Sequence, residues 1–190
     1  MKKAFVLWSA GVDSTFLILH LLKKGYRVDA GYIKLLQNKN QTIRELEAIE
    51  KLAPLIDDVN FKYVGVLNEV NIVNSGNVIL NQIPIFLTAL YHLENYDEFA
   101  MGFIMNDDTI SWIPEIIACY ESFKPLVCNL PKLTFPLIKI KKITLYNSLP
   151  DLIKKEVVWC EDEDGIFNHE TKTCNACHSC LRMNYELSVS

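Results

Sequence analysis

An α/β fold built on a parallel sheet is predicted by three features of the sequence. Short apolar runs alternate with amphipathic stretches along most of the chain. The first run, residues 4–8, is continuously apolar and bounded by small residues, the pattern of a strand buried on both faces. The chain has 190 residues, half of them apolar and 22% charged, enough for one domain whose core needs no disulfides.

The elements follow in order. Residues 4–8 form the first strand. Leu17, Leu21 and Leu22 share one face of a helix over 14–24, and Gly25 stands at its C-cap position. Residues 28–34 form the second strand. Thr42 and Glu45 have the spacing of a capping box; Ile43, Leu46, Ile49 and Leu52 continue a helix stripe that Pro54 closes. Residues 61–67 form the third strand, and 78–93 a helix interrupted or kinked near Pro84. Residues 99–104 form the fourth strand, 112–123 a helix, and 143–155 are partly helical. Strands alternating with helices predict βαβ units, with helices on both faces of the sheet. No repeat and no low-complexity segment interrupts the pattern.

The composition changes near residue 159, where an acidic stretch and four cysteines replace the aliphatics. The predicted organisation is an α/β domain over 1–158 and a C-terminal segment over 159–190 packed on the same domain. The net charge is −4 with no long basic run, so no broad nucleic-acid footprint is expected. The apolar run after Lys2 and Lys3 is too short for a signal peptide, and no stretch has the length of a membrane span. A cytoplasmic protein is expected. Six cysteines in a reducing compartment read as thiols or metal ligands.

Two motifs carry chemistry. The first is Ser9-Ala10-Gly11-Val12-Asp13-Ser14-Thr15, between the first strand and the first helix. An open α/β sheet binds ligands at the carboxyl ends of its strands. Gly11 lets the backbone turn tightly. The hydroxyls of Ser9, Ser14 and Thr15 can donate to phosphate oxygens, and the helix N-terminus favours an anion. Asp13 suits Mg²⁺ or a cap on the loop. The plain alternative is an ordinary strand-to-helix turn with Asp13 or Ser14 as N-cap.

The second motif is Cys160 with Cys174, Cys177 and Cys180, the last three forming overlapping C-x-x-C turns. Four thiolates are the ligand set of a closed, structural zinc site. The tail has little core of its own, so a metal would supply folding energy. An iron–sulfur cluster is the main rival for the same ligands. His169 and His178 read as bystanders, and Cys119 and Cys128 as buried thiols.

The first motif resembles the Ser-Gly-Gly-x-Asp-Ser loop of the PP-loop ATP pyrophosphatases. Ala10 replaces a family glycine, which a methyl group tolerates only where φ is not positive. The segment from Cys174 to Arg182 is similar to the Cys-Gly-x-Cys-x-Ser-Cys-x-Leu-Arg tail of the 7-cyano-7-deazaguanine synthase family, and Cys160 matches an upstream cysteine. The stretch Gly102 to Asp108, the segment Trp112-Ile113-Pro114-Glu115, and Phe135-Pro136-Leu137 with Lys139 and Lys142 match more loosely. Leu36-Gln37-Asn38-Lys39 and Asn81-Gln82-Ile83-Pro84 depart from the family's pocket segments, and the arginine of an Asp-Cys-Arg segment is missing.

The resemblance implies a Rossmann-like, adenine nucleotide alpha hydrolase-like fold and an ATP-dependent carbon–nitrogen ligase. It would convert 7-carboxy-7-deazaguanine and ammonia to 7-cyano-7-deazaguanine, releasing AMP and pyrophosphate. Ser9 to Thr15 would hold ATP with Mg²⁺, and structural Zn²⁺ would sit on the four cysteines. Asp13, Asp107 and Lys139 would be catalytic, with Lys142 and Asp108 as further candidates. Trp112 is expected in the core, with stacking on a base as its other reading. Partners would be the small-molecule acid and ammonia, with no direct nucleic acid. Family members are often dimers, which allows a homodimer. Competing readings are another PP-loop ligase with a different acid or amine, a degenerate nucleotide-binding domain, and a tRNA-thiolating enzyme.

Overall fold

The structure, a computed structural model, describes residues 1–35, 39–57, 59–67, 89–90, 92–105, 107, 109–161, 167–168, 170 and 172–189. Residues 36–38, most of the helix expected over 78–93, and the candidates Asp108 and His169 lie outside them.

Among the described residues five strands form one parallel sheet: β1 (Lys3–Leu7), β2 (Arg27–Leu35), β3 (Val59–Leu67), β4 (Glu98–Ala100) and β5 (Lys132–Thr134). Their order is β3-β2-β1-β4-β5. The chain therefore builds outward from β1 on one side, then returns to build on the other. The two directions diverge between β1 and β4, and the crevice above that point is where such sheets bind ligands.

Helix α1 (Val12–Lys23) follows β1, and α2 (Lys39–Leu52) follows β2. Helix α3 (Ile113–Glu121) continues a 3₁₀ turn over Ile110–Trp112 and precedes β5. The short helices α4 (Lys142–Ser148) and α5 (Asp151–Lys154) follow β5, and α6 (His178–Ser188) ends the chain. Alternation along β1 explains the two-sided packing. Ala4 and Val6 are buried with Leu17, Ile18 and Leu21 of α1, Ile49 and Leu52 of α2, and Leu145 of α4. Phe5 points the other way, among Leu93, Phe99, Ile116, Tyr120 and Leu133. The predicted Rossmann-like α/β architecture, with helices on both faces, is the one observed. Among the described residues no helix is long and apolar enough to cross a membrane.

Several details differ from the sequence expectations. The fourth strand pairs only over Glu98–Ala100, because Gly102 beyond it lies against the first turn of α1 instead of a strand. Thr42 and Glu45 do not cap α2, which already begins at Lys39; Glu45 instead accepts the Tyr32 hydroxyl at 2.7 Å and Gln41 Nε2 at 2.8 Å. Trp112 is exposed, since the 3₁₀ turn leaves Ile113 and Ile116 on the inner face. Cys128 is also exposed and Cys119 half-buried, for neither lies on that inner face. Strand β5 and helix α6 were not expected at all.

Candidate functional site

The loop Ser9–Gly11 leaves the carboxyl end of β1 and enters α1 at the crevice beside β4. Gly11 is the N-cap of α1, and among the described residues no side chain caps the helix. This excludes Asp13 or Ser14 as N-cap and leaves the helix N-terminus without a side-chain acceptor. The Ser14 hydroxyl leans back toward the Gly11 carbonyl at 3.4 Å. A Cβ at Gly11 would lie 3.3 Å from Ser9 Oγ and 3.7 Å from Ser14 Oγ. The absent side chain thus leaves a hollow rimmed by two hydroxyls, the helix N-terminus and the Val158 carbonyl oxygen, 3.7 Å from the same point, with the hydroxyls and N–H groups as donors for a phosphate.

The tight turn lies one residue earlier than the sequence suggested. Gly11 is extended (φ −69°), whereas Ala10 adopts φ 57°. The alanine keeps the left-handed conformation in spite of its methyl group, at a cost of about 1 kcal/mol. Its neighbours fix it: Ala10 is fully buried, and its carbonyl accepts the Val158 N–H at 3.0 Å. Val158 pairs in parallel fashion with Gly11, so the chain leading to Cys160 runs beside the loop. Val12 is buried, and within the loop it offers only backbone. The Thr15 hydroxyl is buried and accepts the Trp8 indole N–H at 2.9 Å, which braces the helix start from below.

Asp13 faces the crevice. Its Oδ2 lies 3.2 Å from Lys142 Nζ, both side chains being mostly buried. Its Oδ1 is buried and finds no hydrogen-bond partner among the described residues. Burial pushes the Asp13 carboxyl above its ordinary range. The Lys142 ammonium pulls it down, Asp107 raises it further and Arg182 lowers it. Asp107 thus lies within electrostatic reach of Asp13, while its Oδ1 accepts the backbone N–H of Thr109 at 3.0 Å and its hydroxyl at 2.6 Å. Lys139 is exposed and forms no ion pair among the described residues. The structure brings Asp13, Asp107 and Lys142 together at the loop and leaves Lys139 at the surface. Gly102 makes this possible: a Cβ there would lie 3.3 Å from Ser14 N and 3.4 Å from the Asp13 carbonyl carbon.

The sequence marks Arg182 only as part of the tail motif. Its Nη2 donates to the Met105 carbonyl at 3.3 Å, which sets a second cation beside the carboxylates. Its place in the sequence, two residues after the last cysteine, carried no signal of this role.

The four cysteines converge. The sulfurs of Cys160, Cys174, Cys177 and Cys180 all lie within 4.8 Å of one another. The backbone N–H groups of Cys177 and Ala176 donate to Cys174 Sγ at 3.1 and 3.4 Å. Burial would raise the Cys174 thiol, but these donors bring it down to about 7, while burial pushes Cys180 up. Asn175, where the similar tail has glycine, takes φ 57°. Asparagine is among the few side chains at ease there, and its Oδ1 accepts Thr173 Oγ1 at 3.0 Å and Asn184 Nδ2 at 2.9 Å. His178 stands outside the cluster, at the start of α6. The group can hold a metal.

No protein-family model and no curated protein matches the chain, but solved structures do. A predicted subunit of tRNA methyltransferase from Methanocaldococcus jannaschii is 16% identical, with a TM-score of 0.52 over 77% of this chain and 74% of that one. The U34-tRNA thiolase NcsA from Methanococcus maripaludis, solved with its 4Fe–4S cluster, is 14% identical. It superposes with a TM-score of 0.52 over 98% of this chain and 72% of its own. The NMN synthetase of Francisella tularensis is 16% identical, with a TM-score of 0.43 over 76% of this chain and 58% of that one. The first two superpositions show that this chain shares the fold of those proteins.

Proposed function

We propose that the chain is an ATP-dependent enzyme that adenylates a carboxylate, releases pyrophosphate and passes the acyl group to ammonia. The observation that carries this is the uncapped N-terminus of α1 at the β1/β4 crevice, with the Ser9–Ser14 hollow in front and Asp13 and Lys142 beside it. Such a site has donors for phosphate, a cation, and a carboxylate oxygen with no partner of its own among the described residues.

The acid we propose is 7-carboxy-7-deazaguanine, on the strength of the cysteine tail. Its carboxylate oxygen attacks the α-phosphorus of ATP, and the bond to the bridging oxygen of pyrophosphate breaks. Ammonia adds to the acyl carbon, loses a proton and expels AMP to give the amide. A second ATP adenylates the amide oxygen and releases a second pyrophosphate; loss of the two nitrogen protons and AMP leaves the nitrile. Ser9, Ser14 and the first N–H groups of α1 would hold the departing pyrophosphate. Asp13 Oδ1, with Asp107 near it, would hold Mg²⁺, which supplies charge neutralisation to the phosphates. Lys142 keeps the Asp13 carboxylate oriented, and Lys139, at the surface, is kept as a candidate cation for the phosphates.

For the cysteine centre we propose zinc. A tetrahedral Zn–S₄ site with bonds near 2.3 Å has sulfurs about 3.8 Å apart, compatible with the 4.8 Å limit. A cubane places irons and sulfides between its thiolates and spreads them wider. A second reading, sulfur transfer to tRNA on an iron–sulfur cluster, is favoured by the extent of the match to the thiolase.

The test is pyrophosphate release from ATP, Mg²⁺ and ammonium, with and without the acid, alongside metal analysis. Release that needs the acid and disappears in Asp13→Ala supports the ligase reading. Iron in the protein and no acid-dependent release would favour the second.

A further inference from the structure

The cysteine centre and the phosphate loop are joined by two side chains on one helix. Helix α6 begins directly after Cys177 and carries Cys180 into the centre. Arg182 Nη2 reaches the Met105 carbonyl at 3.3 Å, beyond the end of β4. One turn on, Glu186 Oε2 accepts the Ile143 N–H at 3.0 Å, and its Oε1 accepts Arg182 Nε at 3.4 Å. Ile143 follows Lys142, whose ammonium holds Asp13 at 3.2 Å. The side chains of Arg182 and Glu186 are 23% and 16% exposed, so these contacts are not loose surface pairs. Apart from Cys180, only Met183 of α6 is buried, while Leu181, Tyr185 and Leu187 face outward. With so little apolar anchorage, the seat of α6 depends on the centre at its start.

The geometry points to Arg182 and Glu186 as positioning residues that make nucleotide binding at the loop depend on metal in the four-cysteine centre. This rests on the reading of the loop as an ATP site. Without metal the four thiols have no common partner, α6 loosens, and Glu186 releases the first turn of α4 that carries Lys142. The coupling is reciprocal, since an effect of metal on ATP affinity implies an equal effect of ATP on metal affinity.

The experiment measures MgATP binding by calorimetry to the full metal-loaded chain, before and after chelation, in the wild type, Glu186→Ala and Glu186→Gln. The wild type is expected to lose affinity roughly tenfold on chelation and to regain it with zinc. Glu186→Ala is expected to be weaker at the outset and to respond little to chelation. Glu186→Gln, whose amide oxygen still accepts the Ile143 N–H, is expected to stay near wild type. In the wild type, MgATP is also expected to slow zinc loss to a colorimetric chelator, a readout that needs no variant. Equal losses on chelation in wild type and Glu186→Ala, or MgATP without effect on zinc loss, would overturn the link. No MgATP binding by the loaded wild type would overturn the nucleotide reading itself.

Discussion

Lys142 Nζ stands 3.2 Å from Asp13 Oδ2, tying the first turn of α4 to the first turn of α1. Lys139, three residues earlier, is exposed and unpaired among the described residues. Replacing Lys142 with methionine is expected to destabilise the protein by about 2 kcal/mol, since a mostly buried carboxylate loses its partner. Lys139→Ala is expected to stay within about 0.5 kcal/mol. Thermal melts of the two variants check the contrast, and pyrophosphate release shows which lysine the reaction needs.

The pH response of Asp13 has two opposite consequences. Burial holds its folded pKa above the ordinary value, with Lys142 opposing. The folded state therefore binds this proton more tightly than the unfolded chain does. The group's contribution to stability is present at low pH and lost as pH rises through the shifted pKa. Mg²⁺ needs the ionised form, so MgATP affinity is expected to rise over that same interval. Lys142→Met moves both transitions to higher pH. Melts and calorimetry across acidic to neutral pH would refute this if affinity fell as stability fell.

Gly11→Ala separates folding from binding. The φ of −69° suits any residue, so melting should be nearly unchanged. The new methyl would fill the hollow 3.3 Å from Ser9 Oγ and 3.7 Å from Ser14 Oγ. MgATP affinity is expected to fall at least about tenfold, an energy of roughly 1.4 kcal/mol. A variant that binds as the wild type does would show that the hollow is not the phosphate cradle.

Ala10 gives the converse case. Ala10→Gly relieves the strain of φ 57° but removes a buried methyl and loosens the unfolded chain. These terms nearly cancel, so a change under about 1 kcal/mol is expected. Ala10→Val, branched and at positive φ in a closed core, is expected to lose about 3 kcal/mol. Denaturant titrations distinguish the two.

Cys180→Ser is expected to abolish stoichiometric metal and to lower stability by about 4 kcal/mol, a loss typical of a structural centre. Cys128→Ser, at an exposed thiol, should leave both unchanged. Metal content and the melting of each variant decide the matter, and a metal-replete Cys180→Ser would refute the four-ligand assignment.

Much of this was legible in sequence because local physics dictated it. Residues 4–8 are apolar without alternation because β1 is the central strand, covered on both faces. The spacing of Cys174, Cys177 and Cys180 holds three sulfurs within one turn and the start of a helix, so their meeting needed little long-range information. The loop at Ser9–Thr15 was marked by its place between strand and helix.

What the tertiary structure decided are the relations across distance. The sequence did not say that Ala10 would take the left-handed turn, because Val158, far along the chain, holds its carbonyl. It did not choose Lys142 over Lys139, since both are lysines in one segment and only the packing of α4 against α1 turns one inward. It did not reveal Arg182 at the Met105 carbonyl, because that contact joins residues far apart in the chain and exists only in the folded molecule. Periodicity and motif spacing report forces that act within a turn or two of the chain. The partner of a buried charge is set by whichever distant side chain the fold carries to it.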